Sequence, residues 1–131
     1  MFMRVNLGVI CAAVLLVAGC AIGPAQFSNG VLTDAKGMTL YTFDKDPAGT
    51  GRSMCNGRCA VNWPPLKAAA DAKAHGRYTV ITRDDGTRQW AYDGKPLYLW
   101  VKDKKPGDRT GEGFRNVWHV VREPGGSMGG Y

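Results

Sequence analysis

The sequence predicts an all-β fold: two pseudo-repeats of short antiparallel strands and hairpins that together form one small domain. Three observations carry this. The phrase LYTFDKD at 40–46 returns as LYLWVKD at 97–103, with Tyr, an aromatic residue and Asp at matching offsets. Strong hairpin-turn pairs, Asp85-Gly86 and Asp93-Gly94, separate short runs rich in β-branched and aromatic residues. Helical periodicity is nearly absent. The single stretch that invites a helix, LKAAADAKAHG at 66–76, is Ala-rich but has no clear apolar stripe.

Taken in order, residues 1–19 read as a leader. Arg4 makes a positive start, and the apolar run after it has the length of a signal-peptide core rather than a bilayer span. It ends in Val17-Ala18-Gly19-Cys20, which resembles the lipobox of bacterial lipoproteins, where the Cys receives a diacylglycerol before cleavage. Cys20 is thus the expected lipid attachment (palmitate among its acyl chains) and 20–30 the expected linker. One acyl chain holds a protein only marginally, whereas two or three hold it firmly. Ten extended residues reach at most about 35 Å, so the domain is expected to work near a membrane surface. Ala21, rather than Asp, follows the lipid Cys; by general sorting logic this favours the outer membrane, on its periplasmic or outer face.

Residues 31–66 form the first repeat. VLTD-AKG-MTLYTF reads as a hairpin turning at Lys36-Gly37; a Pro- and Gly-rich loop, PAGTGRSMCNGRCA, then leads to Trp63 in VNWPPL. Residues 67–77 link the repeats, either as a short helix capped by Gly76 or as irregular chain. Residues 78–122 form the second repeat. YTVITR-DDG-TRQWAY-DGK-PLYLWV reads as a three-stranded meander, followed by the loop KKPGDRTGEGF and by Trp118 in NVWHVV. The Gly-rich tail at 123–131 is expected to fray. Each unit therefore runs hairpin, aromatic strand ending in Asp, glycine-rich loop, Trp strand. Neither has enough apolar area alone, so each should cover the other's face.

Strand alternation puts Tyr41 and Phe43 on one face, and likewise Tyr98 and Trp100, with Leu40 and Leu97 on the opposite face. Asp46 and Asp103, at the strand exits, are placed to accept hydrogen bonds from backbone N–H groups of the next turn. The same residues could instead line two related half-sites for a ligand, and the duplicated phrase alone leaves both readings open.

With Cys11 lost in the leader and Cys20 lipidated, Cys55 and Cys59 remain, as CNGRC. In an oxidising compartment a disulfide is the default. The bridge would close a five-residue loop, worth about 2 kcal/mol in the chain-entropy model. Two alternatives stay open: a redox thiol pair, or a copper site adding His119 and a thioether from Met54 or Met38. The C-x3-C pair with a distant His is similar to copper-delivery proteins of the thioredoxin class. Against it stand the missing βαβ pattern and Ala60, where that class has Pro. His119 in VWHVV reads equally as a partly buried or surface strand residue.

The formal net charge is +6; loss of Arg4 leaves 16 basic against 11 acidic residues, or +5. The basic residues are scattered, KDKK at 102–105 being the densest group. Such a surface suits anionic headgroups or simple solvation, and no nucleic-acid motif accompanies it. Catalytic patterns are poor. Ser28, Ser53 and Ser127 lie in linker, loop and tail with no nucleophile elbow, and Asp84, Asp85 and Asp93 sit in hairpin turns. No phosphate cradle or cofactor motif is present. Trp63, Trp90, Tyr92, Tyr98, Trp100 and Trp118 are many large rings for so small a core. Some are expected to form an exposed aromatic strip suited to a glycan or an envelope protein, and an open sheet edge could accept a partner strand.

The two copies of the phrase, Tyr41-x-Phe43-x-x-Asp46 and Tyr98-x-Trp100-x-x-Asp103, resemble the motif of a group of predicted bacterial lipoproteins, the Yx(FWY)xxD or secreted-repeat family. CNGRCAVNWPPL, RDDGTRQWAYDGKPLY and GEGFRNVWHVV are similar to its recurring phrases, so the likeness spans 31–121. It implies a lipid-anchored or secreted repeat domain, and no activity. The expectation is a lipid-anchored envelope protein acting as a non-enzymatic binding or structural module, with periplasmic thiol-redox or copper handling as the alternative.

Overall fold

The structure is a computed structural model that describes residues 23–125. The leader, Cys20 and the tail beyond 125 lie outside the described residues. Seven short strands are present among the described residues: β1 (Gln26–Ser28), β2 (Val31–Thr33), β3 (Tyr41–Phe43), β4 (Tyr78–Thr82), β5 (Arg88–Tyr92), β6 (Lys95–Pro96) and β7 (Trp118–Val120). They make three antiparallel sheets, β1-β2, β3-β7 and β4-β5-β6. One short helix, α1 (Arg58–Asn62), and one 3-10 turn at Phe114–Asn116 complete the order.

Turn chemistry explains the hairpins. At the end of β2, Asp34 Oδ1 accepts the N–H groups of Lys36 and Met38, and Gly37 supplies φ 82. Asp85 Oδ1 likewise accepts Thr87 N–H and Oγ1 between β4 and β5. Asp93 and Gly94, both left-handed, turn β5 into β6.

Two expectations are corrected. Part of the stretch read as linker, 20–30, is folded: Gln26–Ser28 pairs with β2 around a left-handed Asn29-Gly30. The helix lies at 58–62, starting within the cysteine loop and running past Cys59, while 66–76 holds none. The reason is hydrogen bonding. Leu66 N–H donates to Leu97 O, Leu66 O accepts from Trp90 N–H, and Ala68 N–H donates to Arg88 O, so the Ala-rich stretch begins as extended chain. It has no apolar stripe whose burial would outweigh those bonds.

The two repeats are interlaced. At the centre, Tyr41 and Tyr98 exchange both backbone bonds, N–H to O at 2.8 and 2.9 Å. Around that pair the contacts come in matching couples. Tyr41 pairs with Val120 while Tyr98 bridges Pro65, and Asp44 N–H donates to Val117 O while Val101 N–H donates to Asn62 O. Leu32 N–H reaches Val121 O just as Trp90 N–H reaches Leu66 O. Each repeat's aromatic strand therefore pairs with the Trp segment of the other. Beyond the expected mutual covering of faces, the units trade strands about a pseudo-two-fold.

Strand alternation divides the apolar side chains into two clusters. Tyr41, Phe43, Tyr98 and Trp100 share one with Trp63, Trp118, Val31, Val120 and Cys55. Leu40 and Leu97, facing the other way, join Leu32, Tyr92 and Ala25. The first cluster is so tight at Gly111 that a Cβ there would lie 2.8 Å from the Trp63 ring and 3.0 Å from Tyr41.

Candidate functional site

The repeated phrase comes together at the interlaced centre, crosswise. Tyr41 Oη donates to Asp103 Oδ2 at 2.6 Å, and Tyr98 Oη to Asp46 Oδ2 at 2.5 Å. Each Asp uses its other oxygen to hold its own loop: Asp46 Oδ1 accepts Met54 N–H, and Asp103 Oδ1 accepts Thr110 N–H and Oγ1. The tyrosines are fully buried and the aspartates nearly so. Burial, with the neighbouring carboxylate hydrogen bond second, pushes both phenols well above their ordinary range. Burial also raises the Asp46 carboxyl, although bonds from Tyr98 and Met54 N–H pull the other way. Neither phenol is therefore poised to release a proton near neutrality. The arrangement suits clamping rather than acid–base work.

The copies differ in what surrounds the clamp. In the second, Tyr41 Oη accepts Gly111 N–H. In the first, Tyr98 Oη meets Ser53 Oγ at 2.6 Å, and Arg83, only 5% exposed, donates to Ser53 Oγ, Gln89 Oε1 and Cys55 O. The buried Arg83 escapes sequence reasoning because RDDG reads only as a hairpin turn. Its partners come from three separate segments.

Cys55 and Cys59 form a disulfide. Cys55 is buried in the aromatic cluster and Cys59 packs partly against it. His119 points from the opposite face of β7 to Trp118. Its Nε2 lies 3.0 Å from Asp44 and its Nδ1 3.6 Å from Glu112. Partial burial lowers its pKa, but the Asp44 and Glu112 contacts outweigh this and leave it raised. The set Cys55, Cys59 and His119 is thus not brought together. Among the described residues no group of three His, Cys, Asp or Glu side chains is placed to hold a metal ion.

The indoles and one phenyl stack in a ladder. Phe43 lies on Trp118 at 4.3 Å, Trp118 on Trp63 at 3.8 Å, and Trp63 on Trp100 at 4.0 Å between centroids. The expected exposed aromatic strip is corrected here. Trp63, Trp100, Trp118, Tyr92 and Tyr98 are all buried and Trp90 is half-buried, because the interlaced repeats bring both Trp segments to the same axis. What opens to solvent is a cleft of about 430 Å³ over the ladder. Phe114 and Val117 wall it, α1 contributes Arg58, Cys59 and Asn62, and Lys45 and Arg115 stand at its lip. None of the cationic residues was legible as part of a site, since they are scattered along the chain.

Against known proteins, a family model described as a secreted repeat of unknown function matches residues 25–67 and 79–122. The chain belongs to that family. No curated protein and no solved structure matches the chain. The two matched segments of the secreted repeat are the two interlaced units, and the clamp residues fall one set in each. Only the first copy carries the disulfide, whose loop places α1 beside the cleft. No helix among the described residues is long and apolar enough to cross a membrane.

Proposed function

We propose that this secreted-repeat protein is a lipid-anchored, non-enzymatic binding module of the bacterial envelope, held through Cys20 at the outer membrane, with the aromatic cleft as its ligand seat. The cleft carries the reading. Its volume, about 430 Å³, lies within the span typical of small-ligand sites, roughly 300–1,000 Å³. An apolar floor combined with a few polar groups at the lip suits recognition. The repeated tyrosines and carboxylates are engaged in holding loops. The ligand would come from the surrounding envelope, as a glycan or a partner protein, and the membrane enters only through the lipid.

Val61, on α1 and 69% exposed, offers a position for a photo-crosslinking residue beside the cleft. In intact envelopes, Val61 should yield an adduct that a probe at Thr87, in the β4–β5 turn, does not, and Arg58→Glu should abolish it. An equal adduct from both positions, or none from Val61, defeats the reading. Acyl labelling that survives Cys20→Ser would remove the anchor.

A further inference from the structure

The cleft is one-sided in charge. Lys45, Arg58 and Arg115 border it, and no carboxylate is among its lining residues. Arg115 is held there at a conformational cost. Its φ of 51° and that of Asn116, 60°, are left-handed, a region Asn tolerates but Arg rarely adopts. Its guanidinium lies 5.4 Å above the Phe114 ring, so the charge is fixed at the lip rather than trailing into solvent.

The floor has the same polarity. Stacking uses the faces of Trp63 and Trp118 against each other, which leaves ring edges for the cleft. Edges are the electropositive part of an aromatic ring. Trp63 and Trp118 both line the cleft, so their ring edges are within reach of a ligand seated there.

We infer that the cleft binds the acidic group, a carboxylate or a phosphate, of a sugar-sized anionic ligand. Arg58, Arg115 and Lys45 pair with the anion, and the electropositive ring edges of Trp63 and Trp118 face it from below. The inference rests on the cleft being the ligand seat and adds the class of ligand. A bare ion would leave most of the volume unfilled; a ring-bearing acid would occupy it.

The test follows the indole N–H resonances of the full chain in detergent micelles during titration with glucuronate, glucose 6-phosphate and glucose. These probes share a sugar ring and differ in the acidic group. Saturable shifts of Trp63 and Trp118, with Trp90 unmoved, are expected for an acidic probe and not for glucose. Whichever acid binds more tightly distinguishes a carboxylate from a phosphate source. Arg115→Gly should weaken binding roughly tenfold or more while the protein stays at least as stable, since glycine accepts the left-handed backbone. Arg58→Gln should weaken binding similarly, and Arg77→Gln, in an exposed ion pair outside the cleft, should leave it unchanged. Glucose binding as well as the acids, or no shift with either acid, overturns the inference. If the Val61 adduct persists in that event, the ligand seat stands and only the anionic class falls.

Discussion

Tyr41 and Tyr98 matter for where their hydroxyls end. Each phenol crosses the pseudo-axis to the carboxylate of the other repeat, so one hydrogen bond ties residues 62 or 52 positions apart in sequence. Tyr41→Phe strands Asp103 Oδ2 and the Gly111 N–H in a buried setting. Removing one partner of a buried pair costs about 1–3 kcal/mol, and more when the orphan is charged. Urea unfolding should show a loss of that order, and Tyr98→Phe a comparable one. A loss under half a kilocalorie in either would mean the clamp carries little. His119 gives a pH signature. Its folded pKa is raised above the unfolded value, so its stabilisation is complete below about 6.5 and fades as pH rises through the folded pKa. Exposure of the ring and of both carboxylates keeps the effect small. Thermal melts between pH 5.5 and 8.5 should show a decline that His119→Gln lacks. Parallel curves for the two proteins would remove the ion pair from the account.

At the scale of elements, α1 is too short to stand by itself. Five residues with no side-chain cap form a helix only where something else holds them. The Cys55–Cys59 bridge and the Trp63 N–H bond to Cys59 O supply that hold. Replacing both cysteines by Ser should cost about 2 kcal/mol in denaturant unfolding. It should also speed amide exchange at 58–62 before the rest of the domain responds. Unchanged exchange there would place the hold elsewhere. Elements also show where pattern reading succeeds. Asp85-Gly86 and Asp93-Gly94 dictate their turns through local backbone chemistry, and the β4-β5-β6 meander follows. The Ala-rich stretch at 66–76 could not be decided locally, because the residues that claim Leu66 and Ala68 lie 20 or more positions away.

For the whole molecule, strand exchange makes the two repeats a single folding unit. Residues 25–67 alone lack the β7 partner of Tyr41–Phe43, and 79–122 alone lack the Trp63–Leu66 segment that borders Tyr98. Each piece by itself should be an unfolded monomer by NMR dispersion, and mixing the two should restore the native indole resonances in a one-to-one complex. A dispersed, monomeric spectrum from either piece alone would contradict the interlaced design. The cleft shares this dependence: Trp63 and Arg58 come from one repeat, Trp118 and Arg115 from the other. It exists only when both are in place.

By itself the sequence determined the all-β class, the two repeats, the hairpin turns at Lys36-Gly37, Asp85-Gly86 and Asp93-Gly94, the family and the cysteines available for a bridge. All of these are written in local chemistry: turn pairs ending in Gly, period-two alternation and a phrase stated twice. The tertiary structure alone decided which repeat's Asp each Tyr clamps, that the indoles stack at one axis instead of forming an exposed strip, and that Lys45, Arg58 and Arg115 border one cleft. Those outcomes depend on strand exchange between distant segments. Either an exchanged or an unexchanged pairing of two similar repeats presents the same side chains at the same spacing, so packing has to choose between them.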